Sequence, residues 1–365
     1  MKKRSLGPWI WSPAADGLAF VGSAALALAI VAAARLAAPG QSLPPWAFLV
    51  LVVGVDVSHV WSTLYRTYFD PAELRKRPLL YAGVPLACFA AGVALHAVSS
   101  GVFWTALAYV ALFHFIRQQA GWVAIYRARS ALKTRLDRVL DDAAIYASTL
   151  YPVLVWHTEL PRPFWWFVEG DFVPLPIAWA VPWARALYVA ILAVYAIRAF
   201  LRARATSQLE LGKHAVVATT AATWYVGIVV AKSDFEFTAA NVIVHGVPYV
   251  VLLYVYAREK TRDAKDTFVG KVVGRGVLVF VGILVLIAFV EEGLWDRLVW
   301  HDHPVLFGGE DDSIVLSARV LTWIVPLLAL PQATHYVLDA VLWRRRDTGA
   351  AQGRALGFGG AARDG

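Results

Sequence analysis

Residues 274–293 read GRGVLVFVGILVLIAFVEEG. Between Arg275 and Glu291 no side chain ionises, and a helix needs about 20 mostly apolar residues to cross the ~30 Å hydrocarbon layer of a bilayer. The same pattern recurs on both sides. Windows of this kind fall at 17–38, 45–65, 79–98, 101–126, 140–157, 176–201, 213–231, 237–257, 274–293 and 314–343. The chain of 365 residues is 59% apolar and only 16% charged, whereas a soluble globular protein is roughly a quarter charged. That composition excludes a soluble enzyme or carrier. The 48 aromatic residues suit a bilayer protein anchored at both interfaces and holding an apolar ligand.

A net charge of +8 would suggest nucleic acid in a soluble protein, but here the basic residues lie between apolar windows and read as topology signals. With the N-terminus (Lys2, Lys3, Arg4) inside, 27 of the 34 basic residues collect on the cytoplasmic side; six fall on the opposite side and Arg117 inside a span. The expected fold is therefore all-α: a polytopic integral membrane helical bundle of about ten transmembrane helices with both termini cytoplasmic, in the inner (plasma) membrane. Residues 1–346 form a single transmembrane domain and residues 347–365, rich in Gly, Ala and Arg, a disordered cytoplasmic tail. Asp16 interrupts the first apolar run, so that run reads as a retained span and not a cleaved signal. The segments Leu160–Leu175 and Glu291–Asp312 read as interfacial caps on the outer side. No phosphate-binding or dinucleotide glycine pattern is present, and the bilayer, not nucleic acid, is the expected partner.

Ionisable groups within a bilayer cost about 2.5–3.5 kcal/mol each on insertion scales, so those that remain point to function. Four of the nine histidines qualify: His59, His114, His245 and His335. All lie in even-numbered spans at comparable depth, roughly 10–20 Å from the cytoplasmic boundary at 1.5 Å per residue. His96, His157, His214, His301 and His303 fall at span ends or in loops, where water solvates them. Each intramembrane histidine has a polar neighbour three or four residues away, on the same helix face. Asp56 precedes His59, Gln118 follows His114, Asn241 precedes His245, and Asp339 follows His335. Such groups orient a metal-bound imidazole through its second nitrogen. Tyr249, four after His245, is a candidate fifth contact or proton donor. Arg117 is a candidate countercharge for Asp56 or Asp339, or a stabiliser of a charged headgroup or an oxygen intermediate.

Three readings fit this layer: a shared metal site, a haem held by some of the histidines, or a polar network carrying protons. A single cysteine, Cys88, rules out an internal disulfide and a thiolate cage. Four imidazoles without thiolate suit iron, copper or zinc. A buried, aromatic-lined approach suits redox-active iron meeting O2 and a lipophilic substrate better than zinc hydrolysis, which needs water. The histidine-rich clusters of membrane di-iron enzymes do not occur, so one non-haem iron is expected.

The order of His59, LFHF (Leu112–Phe115), His245 with Tyr249, and THYVLDAVLWR (Thr334–Arg344) resembles the Brp/Blh family of integral-membrane beta-carotene 15,15'-dioxygenases. Val60 and Ile116 replace glycines of the family pattern, Tyr249 stands where that pattern has a second late histidine, and no proline precedes His335. The resemblance implies a core of about eight helices around a buried mononuclear iron that acts with O2 on a carotenoid-like substrate. The expected function is thus a His-ligated iron oxygenase for a carotenoid, isoprenoid or lipid. The rival is a non-catalytic haem carrier, transporter or complex subunit with a proton path.

Overall fold

The computed structural model describes residues 5–37, 40–130, 134–308, 314–343 and 349–358. Among them the chain is helical throughout apart from connecting loops and one isolated bridge between Ser5 and Gln208. Ten long helices follow in order: α1 Pro13–Ala37, α2 Pro45–Tyr65, α3 Pro78–Val98, α4 Ser100–Arg129, α5 Arg135–Thr158, α6 Ala178–Thr206, α7 Leu211–Trp224, α8 Asp234–Lys260, α9 Val277–Trp300 and α10 Ala318–Leu342. All but α5 and α7 are long and apolar enough to cross a membrane, which makes eight among the described residues. The windows at 140–157 and 213–231 fall on the other two. α5 opens on Arg135, Asp137, Arg138, Asp141 and Asp142, and α7 has 14 regular residues before Tyr225–Val230 widens into a π-helix. The molecule is a helical membrane protein.

The ends of these helices follow local chemistry. Ser99 Oγ accepts the Val102 N–H at the start of α4, and Ser233 Oγ accepts the Glu236 N–H at the start of α8, each satisfying a donor that has no partner in the first turn. Prolines open α2 and α3, where a missing N–H costs nothing.

Burial ranks the helices. In α8, 72% of the most apolar stretch is buried, against 11% in α3 and α6. α8 is the central rod, packed on α1, α2 and α7, while Leu79 and Leu86 of α3 and Trp183 and Leu187 of α6 are exposed to the lipid side. α2 and α4 pack on α8, and the second half of α10 meets α8 at Tyr249. α10 is broken at Ala329 between Pro326 and Pro331, and its second half, Leu330–Leu342, carries His335. The first part of α2, Phe48–Val57, is wound as a π-helix that returns to α just before His59, a distortion that often accompanies functional positions.

The expectation of a disordered tail over 347–365 does not hold for residues 349–358. Ala350–Ala355 forms a short helix, α11, packed against α8, with Ala355 and Leu356 buried. Trp11 Nε1 donates to the Ala355 carbonyl at 3.0 Å, and Arg66 Nη2 donates to Gln352 Oε1 at 2.8 Å. The small residues that read as disorder are what the packing needs. Gly357 has φ +74°, and a Cβ there would stand 2.6 Å from the Ile10 carbonyl oxygen. Residues 347, 348 and 359–365 lie outside the described residues.

Candidate metal centre

His59 of α2, His114 of α4, His245 of α8 and His335 of α10 meet in one place, each exposed by 6% or less. One nitrogen from each of His59, His114 and His245 lies within 4.8 Å of the others. Nε2 of His245 is 3.0 Å from Nε2 of His59, and Nε2 of His335 is 3.3 Å from Nε2 of His114. Ring centroids of His59 and His335 are 5.1 Å apart, as are those of His114 and His245. The helices can come this close because α8 carries Gly246 next to His245. A Cβ there would stand 2.8 Å from Val55 Cγ1 of α2 and 3.1 Å from the Val55 carbonyl oxygen.

The outward nitrogens face acceptors. His335 Nδ1 is 2.7 Å from Thr63 Oγ1, His59 Nδ1 is 3.5 Å from Asp56 Oδ1, and His114 Nδ1 is 3.9 Å from Asp339 Oδ2. Only the Thr63 contact is a hydrogen bond, and His59 Nδ1 has no hydrogen-bond partner among the described residues; an acceptor at Nδ1 of His335 favours the tautomer protonated there, which turns its Nε2 lone pair inward. Two nitrogens 3.0–3.3 Å apart, each at a metal–nitrogen distance of ~2.0–2.1 Å, would subtend roughly 90–110° at an ion. The donor set thus fits a divalent cation with tetrahedral or octahedral preferences. His245 has no acceptor on Nδ1 among the described residues. Its ring is held by its face, with Phe115 stacked at 3.4 Å and 9°. Trp166, from the loop after α5, meets the Phe115 ring at 4.8 Å. That loop is tied by Asp171, whose Oδ2 accepts the Trp166 and Phe167 N–H groups at 3.0 and 2.7 Å. Burial holds the Asp171 carboxyl above its usual range.

The expected orienting groups are redistributed. Asp56 faces His59 as expected. Asp339 turns to His114 on another helix and not to His335, and its Oδ1 accepts the Tyr249 hydroxyl at 2.6 Å. Gln118 does not reach a His114 nitrogen; its Nε2 donates to the His245 carbonyl at 3.1 Å. Asn241 is not at the centre, because its Nδ2 donates to the Phe237 carbonyl of its own helix at 2.8 Å, and it packs on Gly227 of the π-helix that follows α7. Arg117 pairs with neither Asp56 nor Asp339 among the described residues; it donates to the Tyr146 hydroxyl. Tyr249 borders the centre, its ring 5.3 Å from His335 and 5.9 Å from His59. Thr63 and Phe115 were not singled out from sequence. Thr63 follows His59 by four residues, the spacing that located the other neighbours, and Phe115 is adjacent to His114. Of the loop and span-end histidines, His157 is satisfied by the Val153 carbonyl at 2.8 Å and the Tyr109 hydroxyl at 3.0 Å.

A cavity of about 1060 Å³ adjoins the centre, reaching His114, Tyr249 and Asp339 at one wall and Leu356 and Phe358 at another. Comparison with family models, with curated proteins and with solved structures returns no match to this chain.

Proposed function

We propose that His59, His114, His245 and His335 hold one iron ion and that the protein is a membrane-embedded non-haem oxygenase for a lipophilic substrate of the carotenoid, isoprenoid or acyl-lipid type. The observation that carries this reading is the convergence of four buried imidazoles beside a large, mainly apolar cavity. An iron ion in such a set supplies O2 activation and one-electron chemistry when bound. The chain's own contribution is to aim the imidazoles through Asp56, Asp339 and Thr63. Phe115 and Trp166 keep water from the His245 side, and the Tyr249 proton is held against Asp339 at the cavity wall. Positive charge concentrated in alternate loops supports ten spans with both termini cytoplasmic, in the inner membrane.

The spacing supports a bare ion over haem. Two axial imidazoles on one haem iron stand about 4 Å apart, twice a metal–nitrogen bond of ~2 Å, with the porphyrin between them. His59 and His245, with nitrogens 3.0 Å apart, leave no such gap. Metal analysis of the purified chain, together with its absorption spectrum, tests the proposal. About one iron per chain without a Soret band is expected. A Soret band, or no bound metal after expression with iron, overturns it in favour of an electron carrier or a proton-conducting polar network.

A further inference from the structure

Resting on that reading, we infer that the substrate is a single-chain lipid with an anionic head, bound with its head at Arg117 and its chain along α4. The cavity is lined by α4 from Val110 to Ala128, about 27 Å at 1.5 Å per residue, so it is long and narrow and not round. Its rim includes Val110, Phe113 and Leu150, all exposed, and in a bilayer these face acyl chains. A lipid enters from the side.

Among the described residues, Arg117 is the one arginine or lysine that lines this cavity. It sits near the middle of a membrane-spanning helix and is itself exposed to the groove. Among the described residues it forms no ion pair, and its hydrogen-bond partner is the neutral Tyr146 hydroxyl. A guanidinium at hydrocarbon depth costs several kcal/mol unless an anion meets it, and its fork of donors matches a carboxylate or phosphate. Asp339, the other charged group of the lining among the described residues, is engaged by Tyr249 and lies toward His114, so an anionic head is drawn to Arg117 and kept from Asp339. Residues three apart on a helix have Cβ atoms ~5–6 Å apart; His114 and Arg117 are such a pair. A head held at Arg117 therefore lies one helical turn from the histidine centre.

Binding of radiolabelled palmitate, hexadecyl phosphate and hexadecanol to the full chain in nanodiscs tests this, with iron content measured on the same samples. The anionic probes should bind at least about tenfold more tightly than hexadecanol. Arg117→Gln should abolish that preference, Arg117→Lys should restore much of it, and both should keep their iron, which also reports folding. Whichever of palmitate and hexadecyl phosphate binds more tightly identifies the head as carboxylate or phosphate ester within this class. Equal binding of hexadecanol, or a preference that survives Arg117→Gln, overturns the inference. Iron present without the preference refutes the head-group assignment alone; the preference without iron refutes the oxygenase reading alone.

Discussion

Thr63 Oγ1 stands 2.7 Å from Nδ1 of His335, a bond between α2 and α10 that ties the orientation of one imidazole to the helix carrying another. Replacing the hydroxyl by a methyl group removes the acceptor that favours the Nδ1–H tautomer. Thr63→Val should weaken metal binding about 10–100-fold, the usual cost of losing such a partner, while Thr63→Ser should stay near the parent. Competition with a chromogenic chelator reads both.

His245→Ala and His335→Ala each remove a nitrogen that lipid does not replace. Both should lose most of the bound metal. His157→Ala deletes an imidazole bonded to Val153 and Tyr109, away from the histidine cluster, and should keep the full complement. Elemental analysis showing the same metal content in all three would remove the ligand assignment.

Gly246→Ala inserts a methyl group 2.8 Å from Val55 Cγ1 and 3.1 Å from a backbone oxygen that cannot swing aside. The expected outcome is a loss of about 1–3 kcal/mol in stability, in the range for overpacking, with reduced metal occupancy because α2 and α8 are forced apart. Gly282→Ala, where an added Cβ meets nothing within 4 Å, should change neither. Thermal unfolding in detergent and metal content distinguish the two variants.

Gln352→Ala takes the side-chain acceptor from Arg66 Nη2, which is buried and otherwise bonded to the Leu342 carbonyl. Leaving a charged donor short of a partner should cost about 1–3 kcal/mol. A chain ended after Trp343 also loses the buried Leu356, so its thermal midpoint should fall further. An unchanged midpoint would show that α11 adds nothing to the fold.

Much of the fold is legible because bilayer thickness imposes a length on every span, and each apolar window falls on a helix. Whether α5 and α7 cross is harder to read, since both are polar enough to depend on neighbours. The four histidines are legible because a polar residue within an apolar run has no bland environment available. Their partners are less so. Spacing along one helix brings Asp56 to 3.5 Å from His59 Nδ1, but an inward side chain meets the facing helix as readily as its own. Asp339 therefore serves His114, Thr63 serves His335, and Gln118 bonds a carbonyl of α8. Asn241 shows the same limit from the other direction: the right spacing, with the amide turned back to Phe237. The order in α11 escapes composition because its stability comes from contacts made hundreds of residues away, at Trp11 and Arg66.

The exposed rim formed by Val110, Phe113 and Leu150 changes what concentration means for this protein. A ligand that reaches His114 by that route diffuses in two dimensions, so occupancy follows its mole fraction among neighbouring lipids and not its molarity in the surrounding buffer. Diluting the membrane with inert phospholipid would then act as a competitive inhibitor does, without any molecule occupying the site.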